Sequence, residues 1–211
     1  MDRIVIIGAG GHAASVADAL LASGYWDVLG LIAPESEKDA SVCGLIVIGD
    51  ESELESLAAD GVVAAIGVGS VGDASVRMRV AARVRDAGLE LPAIVHPKAS
   101  VSTHACVEQG VFVAAGAVVG PHAVLGECCI VNSGAVVDHG CSIGAFAHIA
   151  PGAALSGNVT VGEGAHVGTG ASVIQGATIG KRAVLGVGSA VVNDISEGTR
   201  AWGVPCKEQS T

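Results

Sequence analysis

The sequence predicts a small α/β domain with a parallel sheet, followed by a parallel β-solenoid of six-residue repeats. Three observations predict it. An aliphatic residue recurs at every sixth position from Val101 to Val191. The part before it alternates short aliphatic runs with helical apolar patterns. The 211 residues hold only two Phe, two Trp and one Tyr against 31 Gly. A core without rings must be filled by Val, Ile, Leu and Ala in narrow layers, as in repetitive β architectures.

The α/β domain is expected over residues 1–93. Ile4-Val5-Ile6-Ile7 forms a first strand, and Gly8-Ala9-Gly10-Gly11-His12-Ala13 follows it. An apolar helical pattern then runs over 14–22 and stops at Gly24. Strands are expected over 28–32 and 62–66. Residues 77–87 read as an amphipathic helix closed by Gly88. Strand and helix in this alternation give a small parallel sheet.

The solenoid is expected over 95–195, beginning at Val95-His96-Pro97, with 196–211 as a tail. All sixteen positions of the series from Val101 to Val191 are Val, Ile or Leu. Half of the chain is apolar, yet a run this long without a miss marks a repeat rather than chance. Four places after the aliphatic residue the side chain is mostly small, as at Ala105, Ala117, Ala123, Cys129, Ala135, Cys141 and Ala147. Gly often follows it directly, as in Ile143-Gly144 and Val167-Gly168. This pattern resembles the hexapeptide-repeat family. The resemblance implies a left-handed parallel β-helix of triangular section with three hexads to a coil. Residues 18 apart would then stack at about the 4.8 Å strand spacing.

The net charge of −10, with no basic run, argues against nucleic acid, whose binding needs phosphate neutralisation. Small anions remain possible ligands, because helix N-termini hold them through backbone N–H groups. Cys43, Cys106, Cys128, Cys129, Cys141 and Cys206 form no C-x-x-C pair. They read as packing residues of a reduced cytoplasmic protein, with Cys128 and Cys129 on opposite faces of a strand. Met1-Asp2-Arg3-Ile4-Val5 runs straight into a strand without a leader pattern, and no Gly-free apolar stretch has membrane-spanning length. No membrane partner is expected.

The stacking rule pairs His104 with His122 and His148 with His166. Gly140 continues the first column, and Ile130 and Val184 flank the second. Neither column offers a third ligand, so no metal is expected. His139, in Val136-Val137-Asp138-His139-Gly140, shares its column with Pro121 and Gly157. It reads either as a surface turn residue or as a general base. An amine or hydroxyl attacking a thioester must lose a proton, and imidazole is matched to that task near neutral pH.

Asn132-Ser133-Gly134-Ala135-Val136-Val137-Asp138-His139, then Ile143-Gly144 and His148, resembles the nucleotide-sugar acetyltransferases of the sialic-acid O-acetyltransferase and bacillosamine or perosamine N-acetyltransferase group. Gly8-Ala9-Gly10-Gly11-His12-Ala13, Val95-His96-Pro97 and the closing Trp202-Gly203-Val204-Pro205-Cys206-Lys207 fit the same group. The resemblance implies an acetyl-CoA-dependent homotrimer that acetylates the amino group of a nucleotide-linked sugar for surface glycan synthesis. O-acetylation is the alternative. The resemblance implies His139 as base, with Asn132 in the same pocket. By the stacking rule Gly157 lies one coil from His139, and its N–H is expected to face the oxyanion. Gly10, Gly11, His12, Ala33 and Gly67 would contact the nucleotide sugar. His148, Gly168, Thr169, Gly186, Val187, Gly188 and Lys207 would contact the CoA arm.

Three positions depart from the group's pattern. Gly140 stands where an acid often follows the base, Ala33 where an acid closes the second strand, and Ala14 where a basic residue follows the loop. Three other readings compete. Gly8-x-Gly10-x-x-Ala13 also fits a dinucleotide fingerprint, although Ala33 replaces the acid that fingerprint needs. The solenoid alone also fits a non-enzymatic scaffold. A different hexapeptide acyltransferase, acting on serine or tetrahydrodipicolinate, is the third.

Overall fold

The computed structural model describes residues 1–209. The chain divides into two compact units, one of residues 1–70 and 75–97, the other of 71–74 and the residues from 98 onward. No helix among the described residues is long and apolar enough to cross a membrane.

In the first unit β1 (Arg3–Ile7) leads into α1 (Gly11–Ser23), β2 (Asp27–Ile32), β3 (Ser41–Val42), β4 (Leu45–Gly49), α2 (Leu54–Ala59), β5 (Val63–Ile66) and α3 (Ser75–Asp86). The sheet order is β3-β4-β2-β1-β5. β4, β2, β1 and β5 run parallel, and only the two-residue β3 is antiparallel, at the edge. Ile4, Val5, Ile6 and Ile7 are all buried, as a central parallel strand demands. α1 buries Ala13, Val16, Ala17 and Leu20, the helical spacing of one face. It ends where expected, at Gly24, whose φ of 62° lets its N–H turn back to the Leu21 carbonyl.

The β3–β4 hairpin and α2 were not expected from the sequence. Cys43 and Gly44 both take positive φ at the hairpin turn, the backbone of a tight two-residue connection. Sequence patterns see that turn when it is Asn-Gly or Asp-Gly, and here it is Cys-Gly.

The second unit is the left-handed parallel β-helix. Sixteen two-residue strands run from Ser100–Val101 to Ala190–Val191. Each strand up to Ser172–Val173 pairs in parallel with the strand 18 residues on, as in Val118↔Val136 and Val137↔Leu155. From Val113 to Val191 the second residue of every strand is buried on the prism axis. Val101 and Val107, in the terminal coil, are only half-buried. The corners recur every six residues in the left-handed φ region, at Gly110, Gly116, His122, Cys128, Gly134, Gly140, Phe146, Gly152 and onward. Cys128 is therefore a corner residue rather than a strand neighbour of Cys129, and both are buried.

The period shortens at the end of the prism. Ile179 bridges Ile195 and Leu185 pairs with Ala201, each sixteen residues on. Arg200–Trp202 thus extends the stack past the expected limit at 195, and Lys207–Glu208 folds back antiparallel on it. The tail is a hairpin of the last coil.

Candidate active site

The imidazole of His139 lies over Gly157, its neighbour one coil on. A Cβ built at Gly157 would collide with Cε1 and Nε2 of that ring. The glycine thus gives space to the ring. His139 is exposed. Its backbone N–H donates to Asp138 Oδ1 at 2.6 Å, and its carbonyl accepts from Asn158 N–H at 2.9 Å. Gly140 holds a corner with φ 66°, and a Cβ there would meet Asn158 Oδ1. Asn158 thus crowds the position after His139, where the acid is missing.

Cys141 is buried, and its Sγ donates to the Ser156 carbonyl at 3.2 Å. Burial pushes its thiol up. It is a packing residue, poorly suited to act as a thiolate nucleophile.

Asn132 bonds His148, with Nδ2 3.0 Å from Nε2. His148 and His166 are both buried, register partners with ring centroids 4.9 Å apart in an edge-on arrangement. His104 and His122 form a looser exposed pair at 6.1 Å. Among the described residues no three His, Cys, Asp or Glu are grouped to hold a metal ion.

The residues expected at the CoA arm share one prism edge with Asn132. The 18-residue stack carries Asn132 to Ala150, Gly168 and Gly186, and the corner beside it carries Gly152, Gly170 and Gly188. Gly152 N–H donates to Ser133 O, Gly170 to Pro151 O and Gly188 to Thr169 O, all at 2.9–3.0 Å. A Cβ on Gly168 would strike the Gly186 backbone. Val187 and Thr169 are exposed on this edge. Trp202, which the sequence reading carried only within the closing motif, is the next residue of the column. Its Cβ sits where a Gly186 side chain would be, and its ring is half-exposed beside Lys207, its strand partner. An exposed Trp in a chain with so few aromatics was the available signal.

In the first unit, Gly10 and Gly11 have nothing within 4 Å of a built Cβ. Gly10 caps α1 without a side-chain hydrogen bond, and no acid occupies the first turn. Gly11 and His12 belong to that turn rather than to the loop. As at any helix N-terminus, the first-turn N–H groups have no partner within the helix itself. His12 is pushed down to about 4 by burial and by the nearby Arg77 guanidinium. It is therefore neutral at pH 7. Arg77, fully buried on α3, is a second residue the sequence did not flag. Gly67 admits Ile6 and Ala13, whose atoms would lie within 3 Å of a Cβ there, and its N–H donates to the Ile7 carbonyl. Ala33 is buried at the end of β2, its N–H bonded to Gly49 O. It borders a cavity of about 280 Å³ with Glu35, Lys38, Ile48, Asp50 and Ser52.

The PglD N-terminal domain family model matches residues 3–84. A histidine-to-alanine variant of GDP-perosamine N-acetyltransferase from Caulobacter crescentus, in complex with CoA and GDP-perosamine, is 37% identical with a TM-score of 0.92. That match covers 100% of this chain and 98% of the other. The chain belongs to the nucleotide-sugar N-acetyltransferases. The acetyltransferase domain of PglB from Neisseria gonorrhoeae FA1090, in complex with acetyl coenzyme A, agrees, at 37% identity, TM-score 0.90 and 98% coverage of both chains. WeeI from Acinetobacter baumannii AYE, at 19% identity and TM-score 0.65, shares the fold. No curated protein matches the chain. Two arrangements stand out in this acetyltransferase: the His139 ring over Gly157, and the glycine-lined edge leading from His148 to Trp202.

Proposed function

We propose that this protein transfers the acetyl group of acetyl-CoA to the amino group of a nucleotide-linked amino sugar. The observation that carries the reading is the end-to-end similarity to GDP-perosamine N-acetyltransferase, over 98% of that chain. The α/β unit holds the nucleotide. Its diphosphate approaches Gly10 and Gly11 at the α1 N-terminus, with His12 donating to it. The order β4-β2-β1-β5 supports this, since open parallel sheets bind ligands at the carboxyl ends where strand order reverses, here between β1 and β5. Gly67 and Ala33 close two of those strand ends, and the cavity beside Ala33 takes the nucleoside.

His139 accepts a proton from the sugar amine as its nitrogen attacks the thioester carbonyl. The tetrahedral oxyanion is held by backbone N–H groups, that of Gly157 first among them. Its collapse expels the CoA thiolate, which takes a proton from the His139 imidazolium. The acyl donor lies along the edge from His148 past Gly168, Thr169, Gly186, Val187 and Gly188. Trp202 stacks the adenine and Lys207 meets a phosphate as a point charge. Asn132 and His139 flank one strand from opposite sides, and Val118, Val124 and Ile174 leave apolar surface exposed on the prism. Both features support a homotrimer with the acyl donor between adjacent prisms. We place the reaction in the cytoplasm, as a step of surface glycan synthesis.

Thiol release from acetyl-CoA is the test, measured with UDP- and GDP-linked amino sugars and with hydroxyl-only sugars as controls. Turnover confined to the amino sugars supports the reading. Turnover of the hydroxyl sugars alone overturns it. Sedimentation of an active monomer would sink the trimer.

A further inference from the structure

We infer that Asn132 is a positioning residue that fixes His148 as the neutral tautomer with its proton on Nδ1. The argument begins at the amide. Its Oδ1 accepts the Ser133 backbone N–H at 2.8 Å, with the Ser133 hydroxyl at 3.4 Å. A backbone N–H is donor only, so this contact decides which amide atom is oxygen, a choice that is otherwise open. The reversed amide would set an NH2 group against that N–H. The Nδ2 end then faces His148 Nε2 at 3.0 Å. An amide NH2 donates and does not accept, so Nε2 must carry a lone pair. A protonated Nε2, whether in the other tautomer or in the imidazolium, would place two donors against each other at this distance.

The surroundings reinforce the choice. His148 is buried, and the His166 ring lies edge-on against it at 4.9 Å. A positive charge in this buried column would be costly. Asn132 itself is set by the coil: its N–H donates to Ile149 O at 2.9 Å, and its own carbonyl accepts from Ala135 N–H at 3.0 Å. With the backbone held at both groups, the Ser133 N–H bond to Oδ1 orients the amide. The ring of His148 then carries its single N–H at Nδ1. The catalytic consequence rests on reading His148 as an acyl-donor residue: Asn132 would hold its ring in one orientation and one tautomer on the acyl-donor side.

The experiment uses the full-length protein labelled with nitrogen-15 at histidine. Long-range proton–nitrogen spectra at pH 7 should show His148 with Nδ1 protonated and Nε2 bare. Asn132→Asp replaces the donor with an acceptor and should move a proton onto Nε2. It should also lower kcat/KM for acetyl-CoA about tenfold, the scale of one buried hydrogen bond, while the sugar KM stays unchanged. A wild-type spectrum with the proton on Nε2 overturns the inference, as does an Asn132→Asp protein with the wild-type tautomer. If Asn132→Asp does not fold, the wild-type spectrum decides alone. The acyl-donor reading is tested separately, by the acetyl-CoA KM of His148→Ala. An unchanged KM there would remove the catalytic consequence and leave the tautomer standing.

Discussion

The His139 ring rests on Gly157, which lies one coil further along the prism and has no side chain to displace it. Gly157→Ala should tilt the imidazole away from its seat. Gly157 does not take a positive φ, so alanine fits its backbone and the protein should remain folded. We expect kcat to fall about tenfold to a hundredfold, consistent with the sensitivity of positioned groups to small displacements, with little change in melting temperature. An equal loss of stability and activity would mean that the glycine serves the fold alone.

His139→Ala should lower kcat by about 10² to 10⁴, the usual scale for a lost general base, and leave the nucleotide-sugar KM near wild type. Cys141→Ser should remain active, since its sulfur packs in the corner and donates to a carbonyl. Loss of activity in the Cys141 variant together with full activity in the His139 variant would instead indicate a covalent acyl-enzyme.

Gly140 combines a φ of 66° with a neighbour in the way of any Cβ. Gly140→Ala should destabilise the protein by about 1–2 kcal/mol, the cost of left-handed backbone for an L-residue. Thermal unfolding would register this as a lower midpoint. An unshifted midpoint would show that the corner relaxes.

The depressed pKa of His12 has a signed consequence for stability. Its folded value of about 4 lies below the ordinary 6.5, first through burial and then through Arg77. Between those values the unfolded chain binds a proton that the folded chain does not. Stability from this residue is therefore fully present above about pH 6.5 and is lost as pH falls toward 4. Melting curves at pH 7 and pH 5 should show the drop, and His12→Asn should flatten it. His12→Ala should also raise the KM for the nucleotide sugar; an unchanged KM would leave the Gly10-Gly11 turn as a structural feature only.

Trp202→Ala and Lys207→Ala should each raise the KM for acetyl-CoA, Trp202→Ala by about tenfold, within the range for a base stacked on an aromatic ring. Neither should affect acetyl-pantetheine, which lacks the adenosine end. Equal effects on both donors would move the adenine elsewhere. Point variants are needed here. Deleting residues 202–211 would remove strand residue Trp202 and the hairpin strand Lys207–Glu208 from the last coil, and would confound binding with folding.

The sequence by itself determined the β-helix, the core column from Val113 to Val191, the end of α1 at Gly24 and the pairing of His148 with His166. Each follows from spacing along the chain, because a repeat with a constant period fixes its own register and a helix stop is a local matter of one glycine. It also singled out Asn132, His139, Gly157 and the glycines of the CoA edge. Only the tertiary structure decided what those residues touch. Asn132 meets His148 because a side chain reaching along the axis crosses between coils, a direction the repeat leaves open. At Gly140 and Gly157, Asn158 and the His139 ring occupy the space of a Cβ, and those neighbours lie a full coil away in sequence. Two residues lost from the last repeats carried the prism on to Trp202. A change of period shows only when the strands are seen to pair. The burial of Arg77 near His12 joins helices far apart in the chain. No local pattern records which charge a folded domain encloses.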